Sequence, residues 1–241
     1  MWGDLMKKRT VLTIIFCFVF IVLFSAAAYF FTDISREVML QRKLDTLPVV
    51  IVDAGHGGED GGAVALDNSA EKMYNLDIAL KLQKILEING FRVIMTRRDD
   101  VMTCDEGLES IRSKKISDIR NRFKIIEENP DAVFVSIHQN KFSDSVQHGT
   151  QVFYSGNNPQ SKVLADSIQQ TVTENLQPDN KRMTKKSGTE IYLLYHAQVP
   201  AVLVECGFVS NSGDLQKLKT EEYKTQLAML IAEGVIRYQG G

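Results

Sequence analysis

The stretch Pro48-Val49-Val50-Ile51-Val52-Asp53-Ala54-Gly55-His56-Gly57-Gly58 decides the fold. Its first half is a short, wholly apolar, β-branched run, the composition of a strand covered on both faces. Its second half turns abruptly to glycines and polar residues, so the strand ends in a loop that can bend sharply and approach a ligand. The theme returns in Phe91-Arg92-Val93-Ile94-Met95, Ala132-Val133-Phe134-Val135-Ser136-Ile137, Thr150-Gln151-Val152-Phe153-Tyr154 and Ala201-Val202-Leu203-Val204. Helical segments over roughly 70–89, 111–128, 160–175 and 221–238 lie between and after these runs. Strands alternating with helices predict an α/β domain around a mostly parallel sheet. No internal repeat or second catalytic domain is visible, and the domain is expected over 48–241.

Composition narrows the possible partners. Of 241 residues, 44% are apolar and 24% charged, which suits one sizeable core and excludes a disordered chain. The 28 basic and 30 acidic residues give a net charge of -2, without the basic footprint that phosphate-backbone binding requires. Nucleic acid is therefore not an expected partner. Cys17, Cys104 and Cys206 are too few and too far apart for a disulfide framework or a zinc finger. Cys206, behind an apolar run, reads as a buried small hydrophobe.

The N-terminus departs from this average. Val11 to Phe31 carries no charge, and about 21 residues at ~1.5 Å each match the ~30 Å hydrocarbon core of a bilayer. Lys7, Lys8 and Arg9 precede it, which predicts a cytoplasmic N-terminus over 1–10 and export of the remainder of the chain. The run reads either as a retained transmembrane anchor or, with Ser25-Ala26-Ala27-Ala28 behind it, as a cleaved signal segment. Residues 32–47, mixed and charged, read as a linker that ends at Pro48.

Ligands in open α/β sheets bind beyond the carboxyl ends of the strands. Three apolar runs finish there on a chemically capable residue: His56 after the first, His138 after Ser136-Ile137, and Glu205 after Val204. A fourth candidate is Glu71, in the first turn of a helix for which Ser69 is the expected N-cap, where the dipole favours a carboxylate. Steps of 4, 3 and 4 put Glu71, Asn75, Ile78 and Leu82 on one stripe facing the sheet. A carboxylate buried there wants a cation. Two histidines, one carboxylate and a fourth position left for water form the usual shell of a catalytic zinc, which His56, Glu71 and His138 fit. Glu205 would then move the proton from the attacking water to the departing amine. The string His56-Gly57-Gly58-Glu59 offers Glu59 as a rival ligand. His148 and His196 read as surface or cleft residues. Neither HExxH nor GxSxG occurs.

Several ordered motifs together carry a resemblance. Val52 to Gly58, Glu71-Lys72 with Asn75-Leu76, Met95-Thr96-Arg97, Ser136-Ile137-His138-Gln139-Asn140, and Pro200 to Asn211 resemble the zinc-dependent N-acetylmuramoyl-L-alanine amidases, over about residues 49–238. The resemblance implies a roughly six-stranded sheet flanked by helices, and hydrolysis of the amide joining N-acetylmuramic acid to L-alanine of the peptidoglycan stem. It implies one Zn2+ on His56, Glu71 and His138, with Glu71 preferred to Glu59, and Glu205 as the catalytic acid. Asn140 and Arg97 match motif positions and are expected to shape the substrate cleft.

A short catalytic domain behind a hydrophobic segment, without wall-binding repeats, is similar to the sporulation and germination-specific amidases. That implies action on spore-cortex peptidoglycan, on the route to muramic-δ-lactam, outside the cytoplasmic membrane. The missing targeting module leads us to expect an accessory activating or localising protein. Two competing readings are a peptidoglycan-binding zinc scaffold without activity and a zinc peptidase acting within the stem peptide. Lys181, Arg182, Lys185 and Lys186 form a basic cluster, read either as a solvated loop or as a contact for acidic stem peptides.

Overall fold

The computed structural model describes residues 2–240, apart from the side chains at 4, 5, 8, 10, 11, 14, 17, 27, 33–35, 37 and 40–45. The chain divides into two units, 1–47 and 48–241. The first is the helix α1 (Trp2–Asp45), which contains both the hydrophobic run 11–31 and most of the stretch expected as a linker. The membrane span expected over 11–31 is not supported: among the described residues, no helix is long and apolar enough to cross a membrane. The uncharged run is less than half of the 44-residue helix, and its positions Val11, Ile14, Cys17 and Ala27 lie outside the described side chains. Phe16, Phe18 and Phe24 within it are exposed.

The second unit runs β1 (Val49–Ala54), α2 (Glu71–Ile88), β2 (Arg92–Met95), α3 (Ile111–Glu127), β3 (Val133–Asn140), β4 (Gln151–Tyr154), α4 (Gln160–Asn175), β5 (Lys185–Lys186), α5 (Tyr192–His196), β6 (Ala201–Phe208), α6 (Ser212–Leu218) and α7 (Glu221–Gly240). The six strands form one mixed sheet in the order β2-β1-β3-β6-β4-β5. β1 is parallel to β2 and β3, and β3 to β6, while β4 runs antiparallel to β6. The departure from a parallel sheet has a local cause. The segment between β3 and β4 contains no helix, and a parallel neighbour needs a crossover that a short loop cannot supply.

Strand alternation divides the core into two layers. Val50, Val52 and Ala54 of β1 pack with Ile78, Leu82, Leu164, Ile168, Leu227 and Ile231, which puts α2, α4 and α7 on one face. Ile51, Phe134, Ala201 and Leu203 pack with Ile126, Leu193 and Leu194, so α3 and α5 cover the other. The stripe predicted on α2 is buried, including Glu71 and Asn75. Its N-cap is Ala70 rather than Ser69, and no side chain caps the helix. The preceding loop supplies the acceptors instead, because the Glu71 and Lys72 amides donate to the Ala63 and Gly61 carbonyls. Cys206 is fully buried.

Candidate active site

The parallel register of β3 and β6 makes the site. Phe134, Ser136 and His138 succeed one another on the α3/α5 face of β3, and Ala201, Leu203 and Glu205 do the same on β6. His138 lies directly opposite Glu205. Both strands thus pass from an apolar floor to a chemically active residue at their carboxyl ends. The loop after β1 brings His56 to the same edge, and the first residue of α2, Glu71, meets it. Donor atoms of His56, Glu71 and His138 all lie within 4.8 Å of one another, a grouping able to hold a metal ion.

Glu71 is held from several directions. Its Oε1 accepts from the Gln139 amide at 3.0 Å and Asn75 Nδ2 at 3.0 Å, and lies 2.9 Å from His138 Nδ1. Its Oε2 accepts from the Ala63 amide at 2.8 Å and lies 3.4 Å from His56 Nε2. Burial pushes this carboxyl upward, but the two imidazoles outweigh it and hold the pKa far below the usual carboxylate range. Behind His56, Nδ1 meets Asp60 Oδ2 at 2.8 Å, which fixes the ring and leaves Nε2 facing Glu71. Burial lowers the His56 pKa, yet Asp60 and Glu71 raise it to about 9. A metal at this position would displace that proton, so its affinity would depend on pH. Two imidazole nitrogens and a carboxylate, with an acid bracing one imidazole, fit the donor set of a catalytic zinc.

Glu205 completes the cluster. Its Oε2 is shielded from solvent and has no hydrogen-bond partner among the described residues. Burial, reinforced by the Glu71 charge, pushes its pKa up to about 7 although His138 pulls the other way. A cavity of about 310 Å3 opens onto His56, His138 and Glu205, walled by Ile119 from α3 and by Glu190, Ile191, Tyr192 and Leu193 around the start of α5. A buried acid near neutrality, beside potential metal ligands and open to a cavity, is arranged for proton transfer.

Two glycines make room for this packing. A Cβ on Gly55 would run into the His138 imidazole, and one on Gly62 would meet both Glu71 Oε2 and the His56 ring. Gly62 also has φ +68, in the left-handed region that glycine enters without strain.

The other candidates separate. Arg97 does not line the cavity: its guanidinium is buried and donates to the carbonyls of Ala54, Gly55, Lys72 and Asp99. It straps the His56 loop from beneath. Asn140 ends β3, and its carbonyl accepts from the Val209 amide. Glu59 is exposed and pairs with Lys114. His196 packs against Tyr192, Tyr195 and Phe123. The His148 carbonyl accepts from Arg182, whose guanidinium also reaches Gln147 and Gln151 and lies 4.5 Å from the centre of the Phe208 ring. That arginine is therefore held within the fold, whereas Lys185 and Lys186 are exposed.

Sequence reasoning missed Asp60, Asp118, Arg122 and the α5 wall. Asp118 and Arg122, four residues apart on α3, are buried and form an ion pair with Nε···Oδ2 of 2.8 Å. Their spacing was the one available signal, and it also describes an ordinary exposed helix pair.

Together these features define an α/β domain with a His-Glu-His group able to hold a metal ion and a buried acid beside it at one sheet edge, a layout suited to a metal-dependent hydrolase. The family model described as N-acetylmuramoyl-L-alanine amidase matches residues 50–237. The chain belongs to the N-acetylmuramoyl-L-alanine amidase family. It is 33% identical over 190 residues to the germination-specific N-acetylmuramoyl-L-alanine amidase of Bacillus subtilis, covering 79% of each chain. Among solved structures, it resembles the CwlD amidase of Clostridioides difficile, determined in complex with the GerS lipoprotein. That match has 38% identity and a TM-score of 0.77, and covers 80% of this chain and 98% of the other. The catalytic domain of CwlV from Bacillus (Paenibacillus) polymyxa gives 30% identity and a TM-score of 0.66, with 80% and 99% covered.

Proposed function

We propose that this amidase is a zinc enzyme of the spore cortex, with His56, Glu71 and His138 as ligands and Glu205 as the catalytic acid and base. The observation that carries the reading is the partnerless Glu205 Oε2 beside the three-donor group. Zinc, when bound, supplies Lewis-acid chemistry at the scissile amide. The chain's own residues do the rest. Glu71, clamped by Asn75 and the Gln139 amide, holds its carboxylate toward both imidazoles. Asp60 holds the His56 ring by Nδ1 and leaves Nε2 turned toward Glu71, where it could bind. Glu205 takes a proton from the attacking water as its oxygen bonds to the lactyl carbonyl carbon. It returns that proton to the nitrogen of L-alanine as the C–N bond breaks. In the metal-free protein its pKa lies near 7, in the range where a carboxyl can both take and give a proton near neutral pH. The apolar wall at Ile191 and Leu193 helps to exclude bulk water from the reacting bond.

The cortex assignment is supported by the germination-specific relative of Bacillus subtilis. The uncharged run 11–31 behind Lys7-Lys8-Arg9 supports export by a cleaved signal segment. The complex between the CwlD amidase and the GerS lipoprotein supports an accessory partner for this chain as well. Metal analysis of the purified protein, followed by digestion of cortex and vegetative peptidoglycan with and without a co-expressed lipoprotein, tests these points. Zinc near one per chain and release of stem peptides from cortex are expected. A metal-free active protein would overturn the zinc assignment, and full unaided turnover would overturn the need for a partner.

A further inference from the structure

His56 has φ +61, a left-handed backbone conformation that residues bearing a Cβ adopt uncommonly. Arg97 and Asn75 hold the neighbouring Gly55 carbonyl, and among the described residues one buried side chain reaches the His56 carbonyl itself. Arg122, on α3, donates from Nη2 to the His56 carbonyl at 2.7 Å and from Nη1 to the Ala54 carbonyl at 2.8 Å. The same Nη1 lies 2.5 Å from Asp53 Oδ1, and Nε lies 2.8 Å from Asp118 Oδ2. Asp53 is held in turn by the Thr96 and Ser136 hydroxyls. The guanidinium thus ties the end of β1, the His56 backbone and α3 together in one plane. Burying three charged side chains is costly, and such groups persist only where their geometry is fully paired. The planar fork of arginine can serve four acceptors at fixed angles, which lysine cannot.

We propose that Arg122 is a positioning residue for the metal: it fixes the His56 backbone so that the imidazole meets Glu71 and His138 in register, and metal affinity depends on it. This rests on the zinc reading above. Asp60 fixes the His56 ring, whereas Arg122 fixes the backbone that carries it.

The test compares Arg122→Lys, which keeps the charge but not the fork, with wild type and with Ile231→Ala, a core truncation on the opposite face of the sheet. Zinc affinity is measured by chelator competition on full-length protein, and the absorption spectrum of the Co2+-loaded protein reports ligand geometry. Circular dichroism establishes that each variant is folded. Arg122→Lys is expected to bind zinc about 10- to 100-fold more weakly, the usual cost of disturbing a residue that orients a ligand, and to shift the cobalt spectrum. Ile231→Ala should lower thermal stability while leaving zinc affinity within about twofold of wild type, as the distant effects are independent. If Arg122→Lys does not fold, Asp118→Asn replaces it, freeing one end of the fork while leaving Asp53 paired. Folded Arg122→Lys, or Asp118→Asn in its place, with wild-type zinc affinity and cobalt spectrum would overturn the proposal. Equal loss of zinc in Ile231→Ala would also overturn it, because general destabilisation would then explain the effect. Wild type that binds no zinc would overturn both this inference and the reading it rests on.

Discussion

Replacing Glu205 by glutamine should slow the enzyme and stabilise its metal-free form. The acid is isosteric with the amide, so packing around the cavity is retained. The substitution removes the proton transfer and the cost of a buried charge. General acid and base catalysis by a positioned side chain contributes about 10²- to 10⁴-fold, or roughly 3–5 kcal/mol of barrier, so turnover should fall by that factor. The stability effect arises from linkage. The Glu205 pKa rises from 4.5 to about 7 on folding, so the native state holds this proton more tightly than the unfolded state. The associated stability is present below the unfolded pKa and is lost as pH rises through about 7. A shift of this size corresponds to about 3 kcal/mol at most. Glutamine does not titrate, so the metal-free variant should match wild type in slope above pH 8. Between pH 4.5 and 7 it should gain on wild type by up to that amount. Urea denaturation of the EDTA-treated proteins at pH 4.5, 6 and 8, with turnover of the zinc-loaded proteins measured in parallel, reads both effects. Turnover within tenfold of wild type would refute the catalytic role, and a stability difference that does not change with pH would refute the buried acid.

Glu71→Gln should lose zinc, with affinity lowered by more than about 10-fold; Glu59→Gln should keep both zinc and activity, because Glu59 is exposed and paired with Lys114. Equilibrium dialysis separates the two, and the reverse pattern would restore Glu59 as the ligand. Gly55→Ala drives a methyl group into the His138 ring, and overpacking of this kind costs about 1–3 kcal/mol. A lower Tm together with weaker zinc binding is expected, and an unchanged zinc isotherm would show that the close approach is dispensable. For Asp53, burial raises the pKa, but Arg122, His138 and the Ser136 and Thr96 hydroxyls together more than offset it, giving about 2 against 3.8 unfolded. This lowered acid contributes stability present above pH ~4 and lost as pH falls through about 2, on the order of 2 kcal/mol. Acid denaturation of Asp53→Asn should lack that component.

The strand ends were legible because apolar runs finishing on His56, His138 and Glu205 carry their own address: parallel neighbours bring their carboxyl ends together. Glu71 was legible because a carboxylate on the buried stripe of α2 needs a cation or donors nearby. The features that sequence missed depend on contacts between distant segments. Arg122 lies in α3, a charged helix whose pattern gives no hint that one arginine turns inward to His56, 66 residues away. Arg97 matched a motif, yet only the fold shows its guanidinium consumed by loop carbonyls rather than facing substrate. The Ser69 cap failed because backbone carbonyls of the preceding loop had already taken its place. β4 runs antiparallel to β6 because its direction depends on the helix-free connection before it, and the two-residue β5, parallel to β4, is too short for any periodicity.

The decisive measurement is mass spectrometry of the products that the zinc-loaded protein releases from purified peptidoglycan. Cleavage by this enzyme should free stem peptides with an unblocked L-alanine amino group and leave glycan strands bearing the lactyl carboxylate of muramic acid, with no shortening of the glycan. Peptides cut within the stem, with L-alanine still attached to muramic acid, would contradict the amidase assignment.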